Sequence, residues 1–222
     1  MMGSWSWGQK SPKVQGARKA GASRKSSPGK PMRVTGPKMR IFGLDPGSNV
    51  VGFACIEARI PASGRALTLR DFRIVDVGVL KANQSASHAK RIAALHIGLH
   101  DLLQGLKPDM CVVERAFAGV NAMSALKLGE ARGALVSAIG RLDLPMHEVT
   151  PASAKKLISG HGAATKEEVS LSIQALTGFQ KGQLPYDATD ALALALCGGL
   201  EVIQGQGGRR GSSAATIQET EA

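Results

Sequence analysis

The stretch YDATDALALAL, residues 186–196, is the strongest single constraint on how this chain folds. From Ala191 to Leu196 it is apolar on every side, so as a helix it must be buried all round. Its opening nevertheless carries two acids, Asp187 and Asp190, three residues apart and therefore on one face near the amino end. Each has an ordinary local explanation, Asp187 as an N-cap and Asp190 as a favourable first-turn charge. Together, at the start of a buried helix, they are aimed wherever that start is docked.

The elements around this helix follow in a legible order. Apolar, β-branched runs over 40–45, 51–58 and 67–80, divided by the turn DPGS and by the loop from Pro61 to Arg65, read as three strands joined by hairpins. Ile92, Leu95, Leu99, Leu102 and Leu106 recur at helical spacing within 87–106, and Lys107–Pro108 stops that helix. A strand over 109–117, a helix over 121–142, a strand over 146–150 and helices over 151–159, 166–177 and 187–203 complete the series. This β-β-β-α-β-α-β-α order places the chain in the α/β class, with a mixed five-stranded sheet flanked by helices as in the ribonuclease H-like fold.

Length and composition fit that architecture. The 222 residues suit one domain, and no apolar run approaches the ~18–20 residues of a membrane span, so no membrane association is expected. Cys55, Cys111 and Cys197 are odd in number and far apart; they are expected to be free core thiols in a reducing compartment. The net charge of +11 is unevenly placed: residues 1–40 hold ten Lys/Arg and no acid, whereas residues 41–200 hold 16 Lys/Arg against 14 Asp/Glu. Residues 1–38 lack Leu, Ile and Phe and are expected to be a disordered basic tail, 39–204 the folded domain, and 205–222 a flexible tail. For the first segment three readings stay open: a basic arm for nucleic acid, a targeting segment, or an upstream extension before Met39.

Two further acids end strands. Asp45 closes RIFGLD and is followed at once by Pro46 and Gly47; Glu114 closes CVVE. Ligand sites in such sheets gather at the carboxyl ends of strands, so the two meet if their strands are neighbours. For Glu114 alone, a solvated strand end or a partner of the adjacent Arg115 is the simpler reading. Four carboxylates crowded together would repel strongly without a cation. Mg²⁺, which takes oxygen ligands, answers that need, and a pair of such ions serves phosphodiester hydrolysis.

The segments GLDPGS, VVERAFAGVNAMSALKLGEARGAL and YDATDALALAL resemble, in unbroken order from residue 39 to about 200, the three signature blocks of the RuvC family of crossover junction endodeoxyribonucleases, the bacterial Holliday junction resolvases. The resemblance implies a Mg²⁺-dependent endonuclease acting in DNA recombination and repair. It would cut two strands of a four-way junction symmetrically, with two ions per site and Mn²⁺ able to substitute. Asp45, Glu114, Asp187 and Asp190 take the places of the metal-binding catalytic acids, and Gly47 would leave room for the phosphate backbone. The family's active-site lysines map to Lys166 and to Lys155, with Lys156 as the alternative register. Phe117 takes the place of an aromatic that stacks on a base at the opened junction. The resemblance further implies a cytoplasmic bacterial homodimer, supplied with junctions by branch-migration proteins of the RuvA and RuvB type. Dimerisation would use the helix that contains Ala122, Leu126, Gly129, Gly133, Val136 and Ile139, whose small and apolar residues alone suggest packing within the monomer. The competing functions are a noncatalytic junction-binding protein and a sugar-kinase or actin-like ATPase; the latter needs a longer chain with added Gly-rich phosphate loops.

Overall fold

The computed structural model describes residues 13–16, 37–115, 122–178 and 184–208. In chain order the strands and helices are β1 (Lys13–Gly16), β2 (Lys38–Asp45), β3 (Val50–Arg59), β4 (Phe72–Lys81), α1 (His88–Leu106), β5 (Met110–Glu114), α2 (Ala122–Gly140), β6 (Met146–Val149), α3 (Pro151–Ser159), α4 (Lys166–Thr177) and α5 (Tyr186–Gly208). They form one mixed sheet in the order β1-β4-β3-β2-β5-β6. The β2–β3 and β3–β4 pairs are antiparallel, as hairpin connections require, and β5 and β6 join parallel to β2 after helical crossovers.

Alternation along β2 divides the interior into two layers. Ile41 faces the side where α5 lies with Ala191, Leu192, Ala195 and, from α3 and α4, Ile158, Val169 and Ile173. Phe42 and Leu44 face the opposite side, with Leu95, Leu99 and Leu103 of α1 and Leu135 and Ile139 of α2. Phe42 and Phe53 stack there with ring centroids 6.0 Å apart. The all-round apolar character of residues 191–196 has its expected consequence, since each of them is buried.

Helix α5 lies on the sheet at direct backbone contact. A Cβ at Gly43 would stand 2.2 Å from the carbonyl oxygen of Ala191, and one at Gly52 would stand 1.9 Å from that of Asp187. Only glycine fits at either position, and the fit brings the acid-bearing start of α5 down onto β3.

The mixed five-stranded sheet is present as expected, with a four-residue sixth strand added. This β1 pairs antiparallel with β4 over Lys13–Gly16, inside the segment whose composition reads as disordered. Strand pairing uses backbone groups, which side-chain composition does not report. Strand β4 starts at Phe72, later than the apolar run suggests, because Asp71 accepts hydrogen bonds from the Thr68 backbone N–H (2.8 Å) and hydroxyl (2.9 Å) and curls 69–71 into a 3₁₀ turn. Cys55, Cys111 and Cys197 are free and buried, and burial pushes each thiol up to about 12. No described helix is long and apolar enough to cross a membrane.

Candidate active site

The register of the parallel pair β2–β5 sets Leu44 beside Val113, so the next residues, Asp45 and Glu114, end adjacent strands side by side. Their carboxyl groups hydrogen-bond to each other. That contact needs a shared proton, and Asp45 is pushed up to about 8, first by burial and then by the charges of Glu114, Asp190 and Asp187. Glu114 is also raised, mainly by burial. The third strand of the arrangement brings the helix: Gly52 pairs with Asp45 across β2–β3, and the carbonyl of Asp187 lies over that glycine. Two strand ends and one helix start thus converge.

Two cations border the acids. Lys166 opens α4, whose start is set by a capping box between Thr165 and Glu168. Its ammonium stands 3.5 Å from Asp190 Oδ2, and this contact raises its pKa against the opposing effect of burial. Asp190 remains raised by burial although Lys166 works the other way. On α3, the half-buried Lys155 is close enough for its charge to act on both Glu114 and Asp190, while Lys156 is exposed. The structure therefore brings Lys155, not Lys156, to the cluster. Phe117 lies outside the described residues.

Gly47 has a task within its own turn. A Cβ there would stand 1.9 Å from the carbonyl oxygen of Val50, so the glycine is required by the closure of its own turn.

The donors suit a hard divalent cation. All are carboxylate oxygens, they outnumber the two bordering lysines, and their mutual repulsion is visible in the raised Asp45. As they stand, the acids are engaged in pairs, Asp45 with Glu114 and Asp190 with Lys166. Among the described residues no three His, Cys, Asp or Glu side chains are arranged to hold one ion. Closing around a cation requires Asp45 to give up its proton.

Sequence reasoning missed the arginine that reaches Glu114. Arg115, the adjacent candidate, lies 4.0 Å from Glu148 instead. Arg132 of α2 donates from Nε to the backbone carbonyl of Glu114 at 3.5 Å and pairs through Nη2 with Glu148. Its signal was thin, a single arginine set between the inward-facing Ala131 and Leu135. The opening of α2 also departs from packing within the monomer: Met123 and Leu126 are 61% and 56% exposed.

Residues 41–198 match the family model described as crossover junction endodeoxyribonuclease RuvC. The RuvC of Chlorobium phaeovibrioides is 34% identical over 168 residues, 76% of this chain and 85% of that protein. The RuvC of Moorella thermoacetica is 35% identical over 159 residues, 72% of this chain and 90% of the relative. Among solved structures, T. thermophilus RuvC in complex with a Holliday junction substrate superposes with a TM-score of 0.65 at 27% identity, covering 75% of this chain and 96% of that one. A second Thermus thermophilus RuvC structure gives 0.64 at 28% identity, over 75% and 97% of the two chains. The match runs through all the strands and helices that carry the four acids, and the chain belongs to the RuvC family of crossover junction endodeoxyribonucleases.

Proposed function

We propose that this protein resolves four-way DNA junctions by hydrolysing one phosphodiester in each of two strands of like polarity. The observation that carries the reading is the junction of Asp45 and Glu114 at adjacent strand ends with the Asp187–Asp190 helix start, where burial and the charges of the other three acids push Asp45 up to about 8. Asp45, Glu114, Asp187 and Asp190 would hold two Mg²⁺ ions, with Mn²⁺ able to replace them. Bound divalent cations supply activation of the attacking water and charge neutralisation at the leaving oxygen.

The remaining steps belong to the chain itself. Deprotonated Asp45 and Glu114 anchor the cluster from adjacent strand ends of the sheet. Lys166 and Lys155 offset the negative charge that builds on the phosphate in the transition state. Phe117 stacks on a base at the opened junction centre, a contact worth about 1–3 kcal/mol. The exposed opening of α2, with Met123 and Leu126, supports a two-fold dimer that faces two equivalent strands, one site to each. Junctions reach it in the bacterial cytoplasm through branch-migration proteins of the RuvA and RuvB type. A noncatalytic junction binder has no use for four gathered acids.

The test is cleavage of a synthetic four-way junction in Mg²⁺ and in Mn²⁺, with binding measured separately in Ca²⁺. Paired symmetric nicks on the junction and none on linear duplex are expected. Tight junction binding with no cutting in either metal would overturn the enzymatic reading.

A further inference from the structure

We infer that Arg132 is a positioning residue for Glu114, tying helix α2 to the strand end from which that carboxylate projects; the inference rests on the reading of Glu114 as a metal ligand. Its side chain is only 19% exposed, and its guanidinium spans two acceptors, the Glu114 carbonyl and the Glu148 carboxylate. Glu148 sits on β6, one residue before Val149, the partner of Glu114 in the parallel ladder. Arg115, the residue after Glu114, approaches the other oxygen of the same carboxylate at 4.0 Å. Arg132 thus links the β5 end to Glu148 on β6, with Arg115 at the outer limit of an ion pair with the same carboxylate.

This position needs such a tie. Strand β6 has four residues and forms the rim of the sheet, so few ladder bonds hold Glu114 from that side. Helix α2 offers no buried residue before Ala131, and Arg132 follows directly as the helix turns inward. A guanidinium reaches both acceptors at once because its donors form a planar fork, whereas an ammonium can satisfy the carboxylate but not the fork geometry. The place of α2 and the backbone from which the Glu114 carboxylate projects are therefore joined through Arg132.

The experiment compares Arg132→Gln, Arg132→Lys, Glu148→Gln and Glu114→Gln in the full chain. Mn²⁺ binding to the DNA-free protein is followed by titration calorimetry, single-turnover cleavage across a Mn²⁺ series, and junction binding in Ca²⁺. Loss of a residue that orients a metal ligand costs about 10–100-fold in metal affinity or activity. Arg132→Gln is expected to lose that much, with cleavage partly recovered at high Mn²⁺ and junction affinity unchanged, and Arg132→Lys to fall between. A cooperatively melting Arg132→Gln protein that binds Mn²⁺ like wild type overturns the inference, as does a loss confined to junction affinity. If that variant fails to fold, wild-type Mn²⁺ binding by both Arg132→Lys and Glu148→Gln overturns it equally. Normal Mn²⁺ binding by Glu114→Gln would instead sink the underlying site.

Discussion

Two groups of buried carboxylates sit in this molecule, and they answer burial in opposite ways. Glu57 is almost fully enclosed, with 5% of its side chain exposed, and burial works against its ionisation. Lys38 at 3.2 Å, Arg73 at 3.8 Å and Arg40 at 4.0 Å nevertheless hold its pKa below the usual carboxylate range. Asp71 is similarly lowered, by the Arg65 fork at 2.5 and 2.9 Å and by its bonds to Thr68. Asp45, Glu114 and Asp190 are also drawn out of solvent, and all three are raised, first by burial. Burial acts to raise every one of these acids, and their company decides whether that is offset: the first group has one carboxylate to one or three cations, the second gathers four carboxylates around two lysines. A buried acid matched by cations braces the fold, and a group left short of them is prepared to receive charge from outside.

The largest test of that contrast is catalytic. Asp45→Asn, Glu114→Gln, Asp187→Asn and Asp190→Asn should each cut junction cleavage by about 10²–10³-fold or more while junction affinity in Ca²⁺ stays near wild type. Glu57→Gln and Asp71→Asn should cleave normally once folded. Near-normal cutting by any two of the first four would break the distinction.

Stability should divide the groups next. Asp71→Asn removes the charged partner of Arg65 and is expected to cost about 1–3 kcal/mol in urea unfolding. Asp45→Asn replaces a carboxyl that must take up a proton on folding with a neutral side chain of the same shape, and should leave the metal-free protein as stable as wild type, or more so, at neutral pH. Equal destabilisation by both would mean that the acid cluster is a structural network like the other.

The smallest effect is in the pH profile, where the signs are opposite. With the Asp45 pKa at about 8 in the fold and near 3.8 in the unfolded chain, the native state holds an extra proton between those values. Metal-free stability therefore falls as pH rises through that window, and Asp45→Asn should flatten the fall. Glu57 and Asp71 are lowered on folding, so their contribution is complete above the unfolded carboxylate range and is lost as pH falls below it. Asp71→Asn should flatten only that acid limb. Urea melts in chelator across a pH series measure both slopes.

Much of this was legible because local chemistry and tertiary role coincide. The limits of α3 and α4 match the sequence reading because Thr150 and Thr165 cap their starts and Gly160 and Gly178 take left-handed conformations at their ends. Asp45 and Glu114 were visible because each interrupts an apolar run where a strand must end. Three-dimensional neighbours were less accessible. Adjacent lysines at 155 and 156 are told apart only by which way α3 turns, and Arg132 meets Glu114 across 18 positions of chain. The β4 start was hidden because Asp71 bonds backward to Thr68, a contact that hydrophobic periodicity does not register.

The glycines under α5 give the site a weakness that no chemical inventory would show. Half of the acids ride on the helix and half on the sheet, and the gap between those carriers is set by side chains that are absent at Gly43 and Gly52. One methyl group at residue 52 would act as a shim, prising the helix start away from β3, and a displacement of about 1 Å can cost about 10²-fold in rate. Neutral drift at those two sites is thus closed for a reason of thickness, and an engineer seeking to retune the enzyme has as little freedom in its floor as in its reactive groups.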